Sequence, residues 1–390
     1  MRSGYGSVRQ TAEIAILVKS IANVHQNAVF ITLMKPIVGM NVERQAAHVI
    51  EDFLGRLPQL DLKHIERERE AGYTDSPIDI VVEGCFAGKP LHLIVEVKSN
   101  GQPRSVRDAA HQLRRYRRNH YAHAIPIVMA PYLSPQAREA CREENVGYLD
   151  FVGNALIAQD AIYIEREVPG RPEAERRALR SLYKPKSTRI LRTLLREPDR
   201  RWRIAELADA AGVSVGHVSA VGVALRERGW AEQTGDGLTL VDPDTLLDSW
   251  SENYEPPRGE EYRCYTAFHG KLLADRLRGL ALQGGKVALA SFSAAEWLAP
   301  YVRHPNTFFY ADEKGLATLN ELLQLREAPK GANVIIIVPE EDGVLDDATK
   351  TGNDLVVTSR VQTYLDLMHA GDRGTEGAAE LRHRLMGWRT

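Results

Sequence analysis

The sequence predicts a multidomain protein of the mixed α/β class, and three observations lead to that prediction. First, a chain of 390 residues is longer than one hydrophobic core usually serves, so about two to three domains are expected. Second, the N-terminal part alternates helical and strand-like patterns in the order α-β-β-β-α-β. Third, short apolar runs such as KVALASF and ANVIIIVPEED alternate with helical segments near the C-terminus, which indicates a further α/β domain.

Composition and charge are those of a folded soluble protein. Hydrophobic residues make up 44% of the chain and charged residues 26%. The formal net charge of -2 argues against a uniformly basic surface but leaves local basic patches open. The three cysteines, Cys85, Cys141 and Cys264, form no C-x-x-C pair, so we expect neither a disulfide framework nor a zinc site, and a reducing cytoplasm fits. Lys19 and Lys35 break the N-terminal apolar runs, so we expect no signal peptide and no membrane span.

The N-terminal domain, placed at residues 40–167, is predicted element by element. Residues 1–39 show weak periodicity and are an uncertain extension, with Met40 a plausible alternative start. From Asn41 apolar residues recur at helical spacing, and this helix ends near Gly55. Ser134 and Pro135 open a later helix, because serine caps a first turn and proline fits within it. The remaining elements are predicted, in order, as strands near Leu62–Glu68, Ile78–Glu83 and Leu91–Lys98, a helix around Val106–Arg118, and strands at Ile125–Ala130, Tyr148–Val152 and Leu156–Ile164.

Two irregular stretches divide the rest of the chain. Residues 168–186, VPGRPEAERRALRSLYKPK, are charged and interrupted by prolines, which is typical of a linker with room for one helix. The run WSENYEPPRGEEY is a second interruption. Residues 187–250 between them carry a three-helix pattern followed by a glycine-tipped hairpin. Residues 263–390 then form the C-terminal α/β domain.

Charged residues in the stretch PIDIVVEGCFAGKPLHLIVEVKSNG predict a metal site. Residues two apart on a strand face the same way, so Glu96 and Lys98 share one face. If this strand pairs with the preceding one, Asp79 lies beside them. Mg²⁺ prefers oxygen ligands and keeps several waters, so Asp79, Glu96 and the carbonyl of Val97 are candidate ligands. Lys98 is then placed to orient a water or to neutralise charge on a phosphate; the alternative is a surface ion pair of little energetic worth.

These residues resemble the PD-(D/E)xK nuclease superfamily, with Pro77-Ile78-Asp79 followed by Glu96-Val97-Lys98. The spacing of Pro77 and Asp79 departs from the written motif by one residue. The resemblance covers roughly residues 40–165, and it includes the element order, Glu43 on the first helix, and a Q-x-x-x-Y pattern that begins at Gln112. It implies a restriction-endonuclease-like fold and hydrolysis of phosphodiester bonds with Mg²⁺ or Mn²⁺. The catalytic residues that it implies are Glu43, Asp79, Glu96, Lys98 and Gln112.

Arginines cluster on and before the helix that carries Gln112. They are Arg104, Arg107, Arg114, Arg115, Arg117 and Arg118. A nucleic-acid backbone is the natural partner for such a run beside a phosphodiesterase site, and Arg114, Arg117 and Arg118 are the predicted contacts. The alternative is a solvated helix face.

The run IAELADAAGVSVGHVSAVGVALRERGW, followed by a Gly-Asp-Gly hairpin, resembles a winged helix-turn-helix that binds double-stranded DNA. Residues 171–232 carry 14 Lys+Arg against 8 Asp+Glu, a difference of +6. Ser214 is predicted to cap the second helix of the motif, whose first exposed residues would meet base edges. These are Gly216, His217, Ser219 and Ala220, while Arg200, Arg201 and Arg203 are predicted to reach the phosphate backbone. The alternative is a winged helix used for protein contact.

The tail SRVQTYLDLMHAGDRGTEGAAELRHRL, following the winged-helix pattern, resembles the AbiE-type antitoxin family of type IV toxin–antitoxin systems over roughly residues 187–390. Members of that family usually lack a nuclease-like N-terminal domain. The resemblance implies repression of the protein's own operon and leaves a toxin chain or a second copy of the protein open as partners. Two functions therefore remain: a metal-dependent nuclease that holds duplex DNA, or a non-catalytic regulator or antitoxin that uses the nuclease fold as a scaffold.

Overall fold

A computed structural model of the chain describes residues 16–19, 41–58, 60–69, 78–159, 162–278, 285–301 and 304–387. The protein forms two compact units. The first consists of Met1–Glu173 with Glu227–Gly229, and the second of Ala174–Arg226 with Trp230–Thr390. Within the described ranges no single helix is long and apolar enough to cross a membrane, and only α6 (Ile204–Ala211) and α7 (Val215–Glu227), which are bent by 108°, reach that length and composition as a pair.

The first unit is built on one mixed sheet. Its strands are β1 (Ile16–Lys19), β2 (Leu60–Arg69), β3 (Ile78–Phe86), β4 (Lys89–Val97), β5 (Ile125–Ala130), β6 (Gly147–Asp150), β7 (Ala155–Gln159) and β8 (Ile162–Arg166). They lie in the order β1-β8-β7-β6-β5-β4-β3-β2. The strands β2, β3 and β4 are antiparallel neighbours, whereas β4, β5 and β6 run parallel. The strand β4 therefore lies where the antiparallel and parallel parts of the sheet meet.

Helices cover both faces of this sheet. They are α1 (Val42–Gly55), α2 (Pro103–His120) and α3 (Pro135–Glu143). Alternate residues of β4 serve the two faces: Val95 packs in the cluster of Ile50 from α1, and Ile94 in that of Leu113 from α2. Asn41 caps α1 by accepting a hydrogen bond from the N–H of Glu43 at 2.8 Å. The predicted cap of α3 is confirmed, since the Oγ of Ser134 accepts from Ala137 at 3.1 Å.

The element order predicted for residues 41–130 is confirmed, and one later prediction is wrong. The apolar run Leu156–Ile164 was predicted as a single strand but forms the two strands β7 and β8, paired antiparallel with Gln159 opposite Ile162. Polar residues interrupt the run at this point, and the chain reverses there. Pro77 and the parts of residues 1–40 outside β1 lie outside the described residues.

A buried aspartate organises the loops at the end of the parallel strands. Asp150, at the end of β6, has no solvent exposure. One carboxylate oxygen accepts from the N–H groups of Val152, Gly153 and Asn154 at 2.9 to 3.0 Å. The other accepts from the N–H of Leu133 at 3.0 Å and from the side-chain amide of Asn154 at 2.8 Å. Burial raises the pKa of Asp150, and these hydrogen bonds oppose the rise.

The second unit opens with a helical region and a short hairpin. Its elements are α4 (Glu173–Leu182), α5 (Pro185–Arg196), α6, α7, β9 (Ala231–Thr234), β10 (Gly237–Leu240) and α8 (Pro243–Glu252). Val218 and Leu225 of α7 are buried. Trp202 pairs with Leu238 through two backbone hydrogen bonds of 2.8 Å, so the hairpin gains a third extended segment. Gly237 adopts φ +137, and a Cβ there would lie 2.5 Å from the carbonyl oxygen of Trp202.

The rest of the second unit is a second mixed sheet with helices. The strands are β11 (Gly259–Tyr265), β12 (Val287–Leu289), β13 (Thr307–Ala311), β14 (Arg326–Glu327), β15 (Val334–Pro339), β16 (Thr349–Lys350) and β17 (Val356–Val357), in the order β14-β11-β15-β13-β12-β17-β16. The helices are α9 (Gly270–Leu277), α10 (Ser291–Leu298), α11 (Glu313–Leu323), α12 (Arg360–Met368) and α13 (Asp372–Leu385). A buried network connects this region to α5, where Arg192 donates to Gln362 at 2.6 Å. Burial raises the pKa of Asp366 in this network to about 6.

Replacing Asp150 should destabilise the first unit strongly. Asp150→Ala leaves several buried N–H groups without an acceptor, so we expect a loss of about 3–5 kcal/mol in the free energy of unfolding. Asp61→Ala is the matched control, because Asp61 is an exposed acid on β2, and its loss should cost less than about 0.5 kcal/mol. Urea unfolding of both variants measures the difference. Equal stabilities of the two variants would contradict a structural role for Asp150.

Candidate active site

The two predicted metal ligands lie where β3 and β4 separate. The last ladder pair between these strands joins Ile80 and Val95, so Asp79 and Glu96 occupy the next opposed positions, on one face of the sheet. There the Asp79 side chain takes the place of a backbone acceptor: its Oδ2 accepts from the N–H of Val97 at 2.6 Å. The strand β4 continues its parallel pairing with β5 through Val97. The geometry therefore brings the two carboxylates together at the end of β4.

Glu96 is a buried carboxylate with one oxygen unsatisfied. Glu96 as a whole residue is 4% exposed to solvent. Oε1 accepts from Lys98 Nζ at 2.8 Å, while Oε2 is buried and has no hydrogen-bond partner among the described residues. Burial raises the pKa of Glu96 to about 7, and the nearby charge of Asp79 adds to the rise, while Lys98 and Gln112 oppose it. Because Glu96 is buried, its pair with Lys98 differs from the surface ion pair that the sequence left as an alternative.

Gln112 and Glu43, the other predicted catalytic residues, lie on helices at opposite faces of the sheet. Gln112 is on α2, which covers the face that carries Asp79 and Glu96, and it is close enough to lower the pKa of Glu96. Glu43 lies in the first turn of α1, and its carboxylate accepts from the side-chain amide of Asn41 at 3.1 Å. Its catalytic role stays a prediction.

The donor set can be tested against a divalent cation. Carboxylate and carbonyl oxygens are the ligands that Mg²⁺ and Mn²⁺ prefer. The unsatisfied Oε2 of Glu96, beside Asp79, is a buried oxygen that a cation would satisfy. In the part of the chain that the structure describes, no group of three or more His, Cys, Asp or Glu side chains is arranged to hold a metal. In that part of the chain, the candidate oxygen ligands at this point are therefore two carboxylates, Asp79 and Glu96, and the Val97 carbonyl.

The loop that joins Lys98 to α2 was not singled out by the sequence analysis. A Cβ at Gly101 would overlap the carbonyl oxygen of Tyr132, so only glycine allows this close approach. The carbonyl of Gly101 also accepts from the N–H of Ser134 at 3.2 Å. The loop after β5 is in turn held by Asp150 through Leu133. Only the glycine at the end of the SNG sequence could have signalled this contact.

Exposed basic side chains follow α2 beside the site. Arg104, Arg107, His111, Arg114 and Arg118 recur at helical spacing on its solvent face. Arg114 pairs with Glu144 at 2.7 Å and Arg107 with Glu143 at 3.8 Å. Arg117 is less exposed and donates from Nε to the carbonyl of Ala122 at 3.1 Å. Arg104 and Arg118 have no partner among the described residues, so they are the cations most available to a phosphate.

The predicted backbone-contacting arginines of the second unit differ in their surroundings. Arg200 pairs with Glu197 at 3.0 Å and stacks 3.7 Å from the ring of Trp202. Arg201 pairs with Asp236 at the hairpin tip, at 2.9 Å. Arg203 is exposed, and its guanidinium makes no hydrogen bond or ion pair with other described residues. Of the three, Arg203 therefore carries a charge that no acidic side chain offsets.

The predicted base-reading residues lie at the start of α7. Ser214 caps the helix, since its Oγ accepts from the N–H of His217 at 3.3 Å. Gly216 and Ser219 are exposed, as predicted. His217 is only partly exposed, because its Nε2 lies 3.1 Å from the Oγ of Ser187 on α5. The helix thus presents mainly small, uncharged side chains to solvent.

Residues 239–386 match the model of a family described as transcriptional regulator, AbiEi antitoxin, of type IV toxin–antitoxin systems. A comparison with curated proteins gave no match. Similar solved structures include EndoMS in its apo form, with 16% identity, 29% of this chain and 47% of that chain covered, and a TM-score of 0.21. A repair endonuclease from Pyrococcus abyssi has 17% identity, 28% and 47% coverage, and a TM-score of 0.23.

A complex of EndoMS with double-stranded DNA has 16% identity, 29% and 46% coverage, and a TM-score of 0.21. The aligned region spans less than half the length of each of these solved chains. The two resemblances predicted from the sequence, to nucleases and to AbiE-type antitoxins, are both found among the matches.

Proposed function

We propose that the protein holds duplex DNA and hydrolyses its phosphodiester bonds with a divalent metal ion at Asp79 and Glu96. The observation that carries this proposal is the buried carboxylate of Glu96, whose Oε2 has no hydrogen-bond partner among the described residues. A buried acceptor without a donor costs stability, and a second carboxylate nearby raises that cost. A cation is the partner that offsets both.

Each residue of the site has a separate role in the proposed reaction. Asp79, Glu96 and the Val97 carbonyl would hold Mg²⁺ or Mn²⁺, which supplies a more acidic bound water and neutralises charge on the phosphate. Lys98, whose Nζ lies 2.8 Å from Glu96 Oε1, is only partly buried and can donate to a water or to a phosphate oxygen. Gln112 positions the carboxylate of Glu96 from α2.

DNA is held, in this proposal, by two basic surfaces. The first is the arginine stripe of α2, where Arg104 and Arg118 are unpaired among the described residues. The second is a winged helix formed by α5, α6, α7 and the β9–β10 hairpin. The extended segment at Trp202, hydrogen-bonded to β10, supports this interpretation because winged helices carry a small sheet beside the helix-turn-helix. The N-terminal core is, in the same proposal, restriction-endonuclease-like, and the protein works in the cytoplasm.

A second function is favoured by a different observation. The match of residues 239–386 to the AbiEi antitoxin model supports a transcriptional regulator or antitoxin, with a toxin chain as its partner and self-association as a homodimer open. In that function the winged helix would bind operator DNA and the first unit would serve as a scaffold. The two proposals differ in what they require of Glu96 and Lys98, because only the enzyme needs their charges.

Cleavage of supercoiled plasmid should depend on the site residues. With Mg²⁺ or Mn²⁺ the wild type should nick or cut the plasmid, while Asp79→Ala and Glu96→Ala should lose activity and the associated metal binding seen by calorimetry. Lys98→Ala should keep metal binding but react roughly a hundredfold more slowly, the scale expected when one preorganised donor is removed. Gln112→Ala should be milder, because it leaves the ligands in place.

Glu83→Ala is the matched control for that assay, because Glu83 lies on the same strand and face as Asp79, four residues further along. It should cleave like the wild type. Cleavage by Lys98→Ala or Glu96→Ala at the wild-type rate would show a contaminating nuclease, and the regulator would then be the better-supported function.

Glu96→Gln should stabilise the protein when divalent cations are removed with EDTA. Between pH 4.5 and about 7 the unfolded chain releases the Glu96 proton while the folded protein keeps it, so wild-type stability falls as the pH rises through this window. The glutamine variant avoids that loss, and we expect it to be roughly 1–3 kcal/mol more stable at pH 8 but equal to the wild type below pH 4.5. Calorimetric unfolding at both pH values measures this, and a variant less stable than the wild type at pH 8 would contradict it.

A further inference from the structure

The solvent-exposed face of α7 carries apolar side chains. The proposal that this helix binds DNA does not by itself explain why they are exposed. Val215 is 52% exposed and Val223 is 43% exposed, although valine side chains are usually buried. They lie two turns apart on one face, with Ser219 midway between them and Gly216 and Ala220 alongside. The sequence of α7 from Val215 to Leu225 contains no Asp, Glu, Lys or Arg.

This face has little capacity to donate hydrogen bonds. The hydroxyl of Ser219 donates to the carbonyl of Val215 at 3.0 Å, so only its lone pairs remain for a ligand. His217 is held by Ser187 at 3.1 Å. The side chains that read guanine by bidentate hydrogen bonds are arginine and lysine, and neither occurs on this face. What the face offers is methyl groups.

Charge around the face favours a polyanion as its occupant. The contact of His217 with Ser187 brings the N-terminal end of α5 to the first turn of α7, and the neighbouring Lys184 and Lys186 are exposed. No acidic side chain lies on the face itself. In a complex with DNA, the cations beside the face would contact phosphates, and its uncharged centre would contact the base edges on the floor of the groove.

The size of the face also fits a groove better than a protein interface. From Val215 to Val223 the helix rises by about 12 Å, and the side chains that it exposes are small. A stable protein interface needs about 800 Å² from each partner, more than this strip of side chains offers. The major groove of B-DNA is about 12 Å wide and admits one helix.

We infer that Val215 and Val223 read pyrimidine C5-methyl groups in the major groove, so that α7 prefers thymine-containing DNA through methyl contacts rather than through hydrogen bonds. The inference rests on the proposed function, since it requires the winged helix to hold duplex DNA. Thymine is the base that carries such a methyl group in unmodified DNA, and valine methyl groups bury it by apolar contact. The specificity of the helix is then set by the presence of a methyl group at C5.

Duplexes that differ only in that methyl group test the inference. The first pair of probes is alternating A·T DNA and the same DNA with deoxyuridine in place of thymidine (A·U). The second pair is alternating G·C DNA and the same DNA with 5-methylcytosine. Binding is measured at low ionic strength without divalent metal, so that no cleavage occurs. Hydrogen-bonding groups and backbone charge are the same within each pair. The full-length protein should bind the methylated member of each pair more tightly, by about fourfold for each methyl group buried.

Valine variants test whether the preference for methylated duplexes comes from α7. Val215→Ala combined with Val223→Ala should bind the two members of each pair equally. Val241→Ala is the matched control, because Val241 is 51% exposed in the same unit but lies outside α7, and it should discriminate like the wild type. All three valines are on the surface, so these substitutions should leave folding intact, and circular dichroism checks this.

The outcomes separate the inference from the proposed function. Equal binding of A·T and A·U duplexes by the wild type, or discrimination that survives in the double variant, overturns the methyl readout while leaving DNA binding in place. Absence of binding to every duplex overturns both. If the wild type is a dimer by light scattering and Val215→Asp is a monomer, a second copy of the chain occupies the face, and the inference is likewise overturned.

Discussion

The structure of the candidate site depends on keeping a carboxylate inside the sheet at the point where two strands separate. Glu96 is buried at the end of β4, between the antiparallel neighbour β3 and the parallel neighbour β5. The sheet ladder would ordinarily satisfy backbone groups there, but the pairing of β3 with β4 ends at Ile80 and Val95, and the side chain of Asp79 supplies the acceptor for the N–H of Val97 instead. The separation of the strands therefore fixes Asp79, and a fixed Asp79 places a second negative charge beside Glu96.

The loops around this point are held in place by a close backbone contact and by hydrogen bonds. Gly101 approaches the Tyr132 carbonyl so closely that no side chain fits, and Asp150 fastens the following loop through Leu133. Both loops belong to the carboxyl ends of parallel strands, where α/β proteins generally place their ligands. Rigid loops matter there because Lys98 must remain within hydrogen-bonding distance of Glu96 although its side chain is partly exposed.

Sequence reasoning succeeded where the signal was local and failed where it depended on distant residues. The cap at Ser134 and the shared face of Glu96 and Lys98 follow from helix and strand periodicity, and the structure has both. The burial of Glu96 could not be read from its neighbours, since it requires α2 to cover that face. The pairing of Arg201 with Asp236 joins residues 35 positions apart, so a cluster of arginines in the sequence overstated the free charge. The break between β7 and β8 was visible only as polar residues within an apolar run.

The two candidate functions make opposite demands on Glu96, and that contrast bears on the choice between them. A scaffold gains nothing from a buried carboxylate whose pKa is raised to about 7, because a neutral isostere would spare the desolvation cost. In an enzyme, a bound cation would offset the desolvation cost of the Glu96 carboxylate. The same burial strengthens the interactions of the charged groups of the site with a phosphate. The antitoxin match concerns residues 239–386 and makes no demand on Glu96 at all. A regulatory C-terminal region and a hydrolytic first unit are therefore compatible within one chain, whereas a purely structural first unit leaves the unsatisfied oxygen of Glu96 without a reason.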